Sequence, residues 1–247
     1  MEDFFILNGI SSLEVGIYVI QLPPISIPER RVEEVEVLGR DGTLTIDDNT
    51  YKPIIKNCEV YYNNRNIDAI ANFLEDGEVI FSNARDRKYK CKIYQEVTGE
   101  YYFENEEGVW QHLNIVFNCQ PFGYALDNED ITIATNNYYI YNRYSYYSEP
   151  IITVYGSGLI HLFINGEEIQ LKDVDEYITI NTVKKRTYKD LTPLNSKKIG
   201  NFPVLKKGEN TISWSGTVTK VVITPNWRNK VWLNYLRVMK QILQMTV

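Results

Sequence analysis

Cysteine and histidine are scarce in this 247-residue chain, with three of the first (Cys58, Cys91, Cys119) and two of the second (His112, His161). Three cysteines, odd in number and far apart, exclude a disulfide framework. Together with two scattered histidines they also exclude a zinc site of recognisable spacing. Each cysteine lies in or beside an apolar stretch, which predicts buried free thiols. Long apolar runs are missing too: none approaches the ~20 residues that cross a bilayer as a helix. The opening MEDFFILNGISS carries acids where a secretory signal carries Lys or Arg, and no long apolar stretch follows. The expectation is a protein made and folded in a reducing cytosol, with no membrane partner.

Catalytic signatures are equally absent. There is no Gly-x-Ser-x-Gly elbow, no His-Glu-x-x-His helix and no Gly-x-x-x-x-Gly-Lys phosphate loop. Glu33, Glu34 and Glu36 crowd one predicted strand, where neighbours at i and i+1 point to opposite faces, the wrong arrangement for a shared glycoside. Asp47-Asp48-Asn49 and Asp173/Asp175 lack the spacing of a calcium loop. Arg40-Asp41-Gly42 matches an integrin-type tripeptide, but a hairpin tip accounts for the same residues. Neither an enzyme nor a cofactor is expected.

What is present favours strands. Hydrophobic residues make up 44%, charged residues 23%, and there are 19 tyrosines, the composition of a soluble folded protein rich in β-formers. Pro23, Pro24 and Pro28 set an extended lead-in to Arg31–Leu38, where valines mix with acids in rough alternation, as on a strand with one wet face. Gly39–Gly42 predicts a tight turn, Thr43–Ile46 the return strand, and Tyr51–Tyr62 a further extended segment. One helix is predicted, capped by Asn66, carrying Ile67, Ile70, Ala71 and Phe73-Leu74 on one face, and stopped at Asp76-Gly77. Strands are then expected over 78–82, 88–96 and 110–119, with an acidic loop over 99–108.

The regular pattern breaks at 121–124, and the short polar run 125–130 is taken as a domain boundary. Beyond it, Asn136–Tyr147 is tyrosine-rich, predicting either a binding surface or a sandwich strand with half-buried rings; the second is favoured. Short strands follow at 150–155, 159–164, 168–171, 177–181, 210–215 and 217–225, the pattern of a β-sandwich. Gly156-Ser157-Gly158 and Asn165-Gly166 are predicted as turns between them. The period changes again at 231–247, where Trp232, Tyr235-Leu236, Met239 and Ile242-Leu243 would share one face of an amphipathic helix.

Charge divides unevenly. Residues 1–130 hold 11 basic and 24 acidic side chains, a net of −13, whereas residues 131–247 hold 15 and 8, a net of +7. Either both halves display solvated charge for solubility, or the acidic half faces a polyanion that it must not bind, as in a DNA channel. The lysines of the second half are scattered among loops without a nucleic-acid motif.

Five segments, in order, resemble the distal tail protein (Dit) family of long-tailed phages infecting Gram-positive bacteria. They are RRVEEVEVLGRDGTL (30–44) with Tyr51 and the helix ending Phe73-Leu74; EVIFSNARDRKYKCKI (78–93); VFNCQPFGY (116–124); 149–171; and 209–227. The resemblance implies a mainly β protein: a ring-forming β-rich domain with one helix over 1–130, then a galectin-like β-sandwich over 131–247 with a C-terminal helix. It implies a homo-hexameric ring at the virion tail tip or baseplate, joining the tail tube protein to the tail-tip hub and in some phages carrying receptor-binding proteins for host attachment. DNA would pass through the channel unbound, and the second domain would project outward. Val35, Val37, Arg40, Asp41 and Gly42 are the candidate assembly contacts, with Trp232 and Leu236 of the terminal helix. The galectin likeness does not carry sugar binding with it, because His161 and Trp214 lie far apart in the sequence and form no recognisable cluster. The alternatives are a cell-surface carbohydrate-binding module and, behind it, a tail-associated hydrolase.

Overall fold

The computed structural model describes residues 2–63, 67–94 and 96–230; the expected cap Asn66 and the expected helix over 231–247, with Trp232 and Leu236, lie outside them. The protein is mainly β, as expected. It divides into two compact units, one formed by the chain up to Gly123 together with Lys230, the other by Tyr124–Asn229.

The first unit contains β1 (Phe5–Leu7), β2 (Ile10–Ser11), β3 (Ile17–Gln21), β4 (Arg30–Glu36), β5 (Thr43–Tyr51), β6 (Ile54–Asn63), α1 (Ile67–Phe73), β7 (Gly77–Phe81), β8 (Arg87–Lys92), β9 (Glu100–Asn105) and β10 (Gly108–Cys119). Its main sheet runs β2-β1-β7-β8-β10-β6-β3. The spine is β10, which pairs with β6 from Trp110 to Cys119 and gives its other edge to β9 at one end and β8 at the other. Alternation along the inner stretches of β6 and β10 sends Cys58, Val60, Leu113, Ile115 and Phe117 inward. There Phe117 meets Phe5 and Phe81 edge to face, each at 5.4 Å between centroids. Helix α1 covers this core with Ile70 and Phe73, each burial contributing about 1.5–3 kcal/mol.

Two expectations change here. The acidic stretch predicted as a loop contains β9, because Tyr101-Tyr102-Phe103 supplies the aromatic strand formers that outweigh its glutamates. Gly77 is the first residue of β7, opposite Cys91, and not a helix cap. The three cysteines are buried and free, as predicted.

In the second unit, β11 (Gly123–Ala125), shared with the junction, is followed by β12 (Ile131–Ile133), β13 (Tyr138–Asn142), β14 (Ile151–Ile164), β15 (Glu167–Val174), β16 (Tyr177–Asn181), β17 (Arg186–Lys189), β18 (Thr192–Pro193), β19 (Lys198–Ile199) and β20 (Gly208–Thr224). Gly156-Ser157-Gly158, expected as a turn, is a kink inside the single long strand β14, and the break expected near Gly216 is a kink inside β20. Strand β14 pairs from Ile151 to Ile164 with Ile212–Thr224 of β20, with register shifts at the kinks. Their halves change neighbours there. On one side of the kinks β12 flanks the end of β20 and β16 flanks the start of β14; on the other side β13 flanks the start of β20 and β15 flanks the end of β14. Two layers that share two bent strands thus enclose one core. Ile152, Val154 and Ile223 enter it from one layer, and Leu162, Ile164 and Ile212 from the other. Asn165-Gly166 closes the β14–β15 hairpin as predicted, both residues at positive φ.

Candidate assembly surface

Strands β4 and β5 form a two-stranded sheet of their own, paired among the described residues only with each other. An isolated ribbon has no core to bury either face. Nearly every residue on it is exposed, whereas one wet face and one dry face were expected.

The register sorts its side chains. Val35 lies opposite Leu44, and Glu33 opposite Ile46, so these four share one face; Glu34 with Thr45, Glu36 with Thr43 and Val32 with Asp47 share the other. One face is therefore mostly aliphatic and the other mostly acidic and hydroxylic. The aliphatic face is open to solvent, Leu44 at 41% and Ile46 at 50% of full exposure. Val37, just past the end of β4, is exposed as well, and Leu38 at the tip is fully so. The connection Val37–Gly42 is longer than the tight turn expected. Arg40 N–H donates to the Val37 carbonyl (3.1 Å), and Gly39 and Gly42 take φ of +81° and +74°. Val35, Val37, Arg40, Asp41 and Gly42 are thus gathered on the outer half of one exposed arm.

The root of the arm is fixed. Arg30 pairs with Asp47 at 2.6 Å and donates to Asn49 Oδ1 at 2.7 Å, while Lys52 pairs with Glu29 at 2.7 Å. Tyr51, the one buried residue of β5, packs edge to face on Phe122 at 5.6 Å. Asp48 is held below its ordinary carboxylate range by the Thr50 hydroxyl and then by the Thr50 N–H. The proline-rich lead-in is tied down as well: Asn83 donates to the Pro23 carbonyl (3.0 Å) and Lys56 to the Pro24 carbonyl (3.2 Å). Lys56 is only 3% exposed, its ammonium 4.7 Å from the Tyr89 ring centre. Burial pushes its pKa down. A rigid base thus carries an arm whose aliphatic face lacks a cover among the described residues.

No family model matches the chain, and no curated protein matches it. One solved structure that resembles it is the SPP1 Dit (gp 19.1) protein, described as a paradigm of the hub adsorption apparatus in phages infecting Gram-positive bacteria. The superposition covers 90% of this chain and 98% of that one, at a TM-score of 0.65 and 13% identity. The chain has the fold of a distal tail protein.

Within this Dit-like fold the remaining sequence candidates fall as follows. His161 and Trp214 sit on paired strands, with Leu162 opposite Trp214 and Ser215 opposite His161. Alternation turns Trp214 toward the core and His161 to the outer face, where its Nδ1 contacts Glu168 Oε1 at 2.5 Å. The two are neighbours on opposite faces, a relation invisible in their sequence separation. Among the described residues no three His, Cys, Asp or Glu side chains gather as a metal-holding group. Residues 1–123 hold 11 basic and 21 acidic side chains, a net of −10, and residues 124–229, the second unit, hold 12 and 11, a net of +1. The contrast lies in the acidity of the first unit, because Asp127, Glu129 and Asp130 belong to the second.

Proposed function

We propose that this chain is a non-enzymatic structural component of a phage tail tip or baseplate, assembling as a hexameric ring between the tail tube and the tail-tip hub. The fold likeness to a hub protein over nearly the whole of both chains carries the reading. The β4–β5 arm supports it. An aliphatic face built from Val35, Leu44 and Ile46 is a liability in a monomer and an asset against a neighbouring subunit. In the ring the arm of one subunit lies on the next, with the tip Arg40–Gly42 at a subunit or tube contact. The net charge of −10 on residues 1–123 suits a border to a DNA channel, where like charge keeps the polyanion from sticking. The second unit is the galectin-like module of the family, available to receptor-binding proteins.

Sedimentation of the purified chain tests the proposal. The expected species has six times the 28.9 kDa chain mass, in concentration-dependent exchange with smaller ones. A species that stays at one chain mass at every concentration would overturn it.

A further inference from the structure

Of the tyrosines expected to be half-buried in a sandwich strand, Tyr144, Tyr146 and Tyr147 are so, whereas Tyr138, Tyr139 and Tyr141 lie on an open surface. Among the described residues strand β13 is an edge strand, paired with β20 alone. It buries Ile140 and Asn142 and turns Tyr139 and Tyr141 outward, at 61% and 71% exposure. Their positions two residues apart put both rings on one face, roughly 7 Å from each other. They line an open cleft of about 430 Å³ within the second unit. Asp127, Arg143 and Tyr144 line it as well. Arg143 Nη2 and the Tyr144 hydroxyl both donate to the Asp127 carboxylate, and the Tyr144 ring stacks on the largely buried Trp227 at 5.9 Å.

We infer that this cleft binds a neutral glycan, with hexopyranose rings seated on Tyr139 and Tyr141. The negative face of an aromatic ring attracts the positively polarised C–H groups on the flat side of a pyranose. Two rings in a row fit successive sugars of one chain. The same cleft supplies what hydroxyls need. Asp127 and Arg143 are held in place by each other and by Tyr144, yet their side chains remain 52% and 68% exposed. A carboxylate with spare lone pairs and a guanidinium with spare N–H groups therefore both face the cleft. The pair is neutral in sum, which favours uncharged sugars over a phosphate polymer. Size also separates a glycan from a protein partner. The volume lies in the ~300–1,000 Å³ range of ligand sites, whereas a stable protein contact takes about 800 Å² from each partner, far more than a five-residue edge strand and its flanks offer.

The inference is independent of ring assembly, and the full chain tests it. The fluorescently labelled protein is applied to an array of bacterial surface glycans, beside the Tyr139→Ala/Tyr141→Ala and Asp127→Asn variants, with circular dichroism confirming that each variant is folded. The expected result is retention on neutral hexopyranose chains, weakened at least tenfold in the tyrosine variant and several-fold in Asp127→Asn. No glycan retained by the parent chain, or equal retention by all three proteins, overturns it. So does a preference for anionic polymers. Loss of self-association in the tyrosine variant without any glycan binding would assign the cleft to a protein contact and overturn it as well.

Discussion

Gly156 and Thr217 meet where the two longest strands of the second unit bend together: a Cβ placed on Gly156 would lie 2.1 Å from the Thr217 carbonyl oxygen. On the other side of the same corner a Cβ on Gly216, at φ +97°, would lie 2.4 Å from the Leu159 carbonyl oxygen. Both obstacles are backbone atoms, which cannot swing aside. Gly156→Ala is expected to cost about 2–3 kcal/mol through forced displacement of the paired strand. Gly158→Ala, which meets no atom within 4 Å but sits at φ +75°, should cost about 1 kcal/mol. Urea unfolding of the two variants checks the order.

Glu149 accepts from Arg228 Nη1 at 2.8 Å, and Arg228, largely buried, also donates from Nε to the Tyr147 carbonyl at 2.7 Å and lies 4.5 Å from the Tyr147 ring centre. Removing the carboxylate leaves a buried cation short of its counter-charge. Glu149→Ala should therefore lower the stability of the second unit by about 2–3 kcal/mol, below the full penalty for a buried pair because Glu149 is partly solvated. Calorimetry with and without the substitution measures it.

Burial pushes the Cys58 and Cys119 thiols up to about 12 and Cys91 to about 11. These groups favour folding while they stay protonated in both states. The unfolded chain begins to lose their protons near pH 9, and the folded chain does not. Stability is then full below pH 9 and falls as pH rises from 9 toward about 12. The melting temperature should drop across that window, and iodoacetamide at pH 8 should label all three thiols only in denaturant. Rapid labelling of the native protein would contradict the buried placement.

The arm separates folding from assembly. Leu44→Asp and Ile46→Asp replace exposed side chains, so the melting temperature should move little, within about 0.5 kcal/mol. Oligomer formation should be lost. Gly42→Val acts differently: no atom lies within 4 Å of the new Cβ, but φ is +74°, so a β-branched residue distorts the tip at a cost of roughly 1–2 kcal/mol confined to the arm. Sedimentation of the three variants should show weakened assembly. Normal oligomers from all three would remove the arm from the interface.

Much of the fold was legible because alternation was strong. The strands at 110–119 and 177–181 and the Asn165-Gly166 hairpin follow directly from period and turn chemistry. In the sequence Gly156 reads as part of a turn and Gly216 as a break between strands, since a glycine that bends a continuous strand and one that ends it look alike. Strand β9 was hidden by its glutamates, although Tyr101-Tyr102-Phe103 carried the signal. Val35 and Val37 were legible as an apolar edge, but that neither face of their ribbon would be covered depends on tertiary packing. Tyr139 and Tyr141 were noticed, while Asp127 and Arg143 were not, because only the fold brings residues 16 apart to one cleft.

Negative-stain microscopy of the purified chain addresses the central proposal most directly. Six-fold rings with an open central hole are the predicted result, disappearing in Leu44→Asp. Monodisperse single particles without a hole, at concentrations where the chain is folded and soluble, would contradict it.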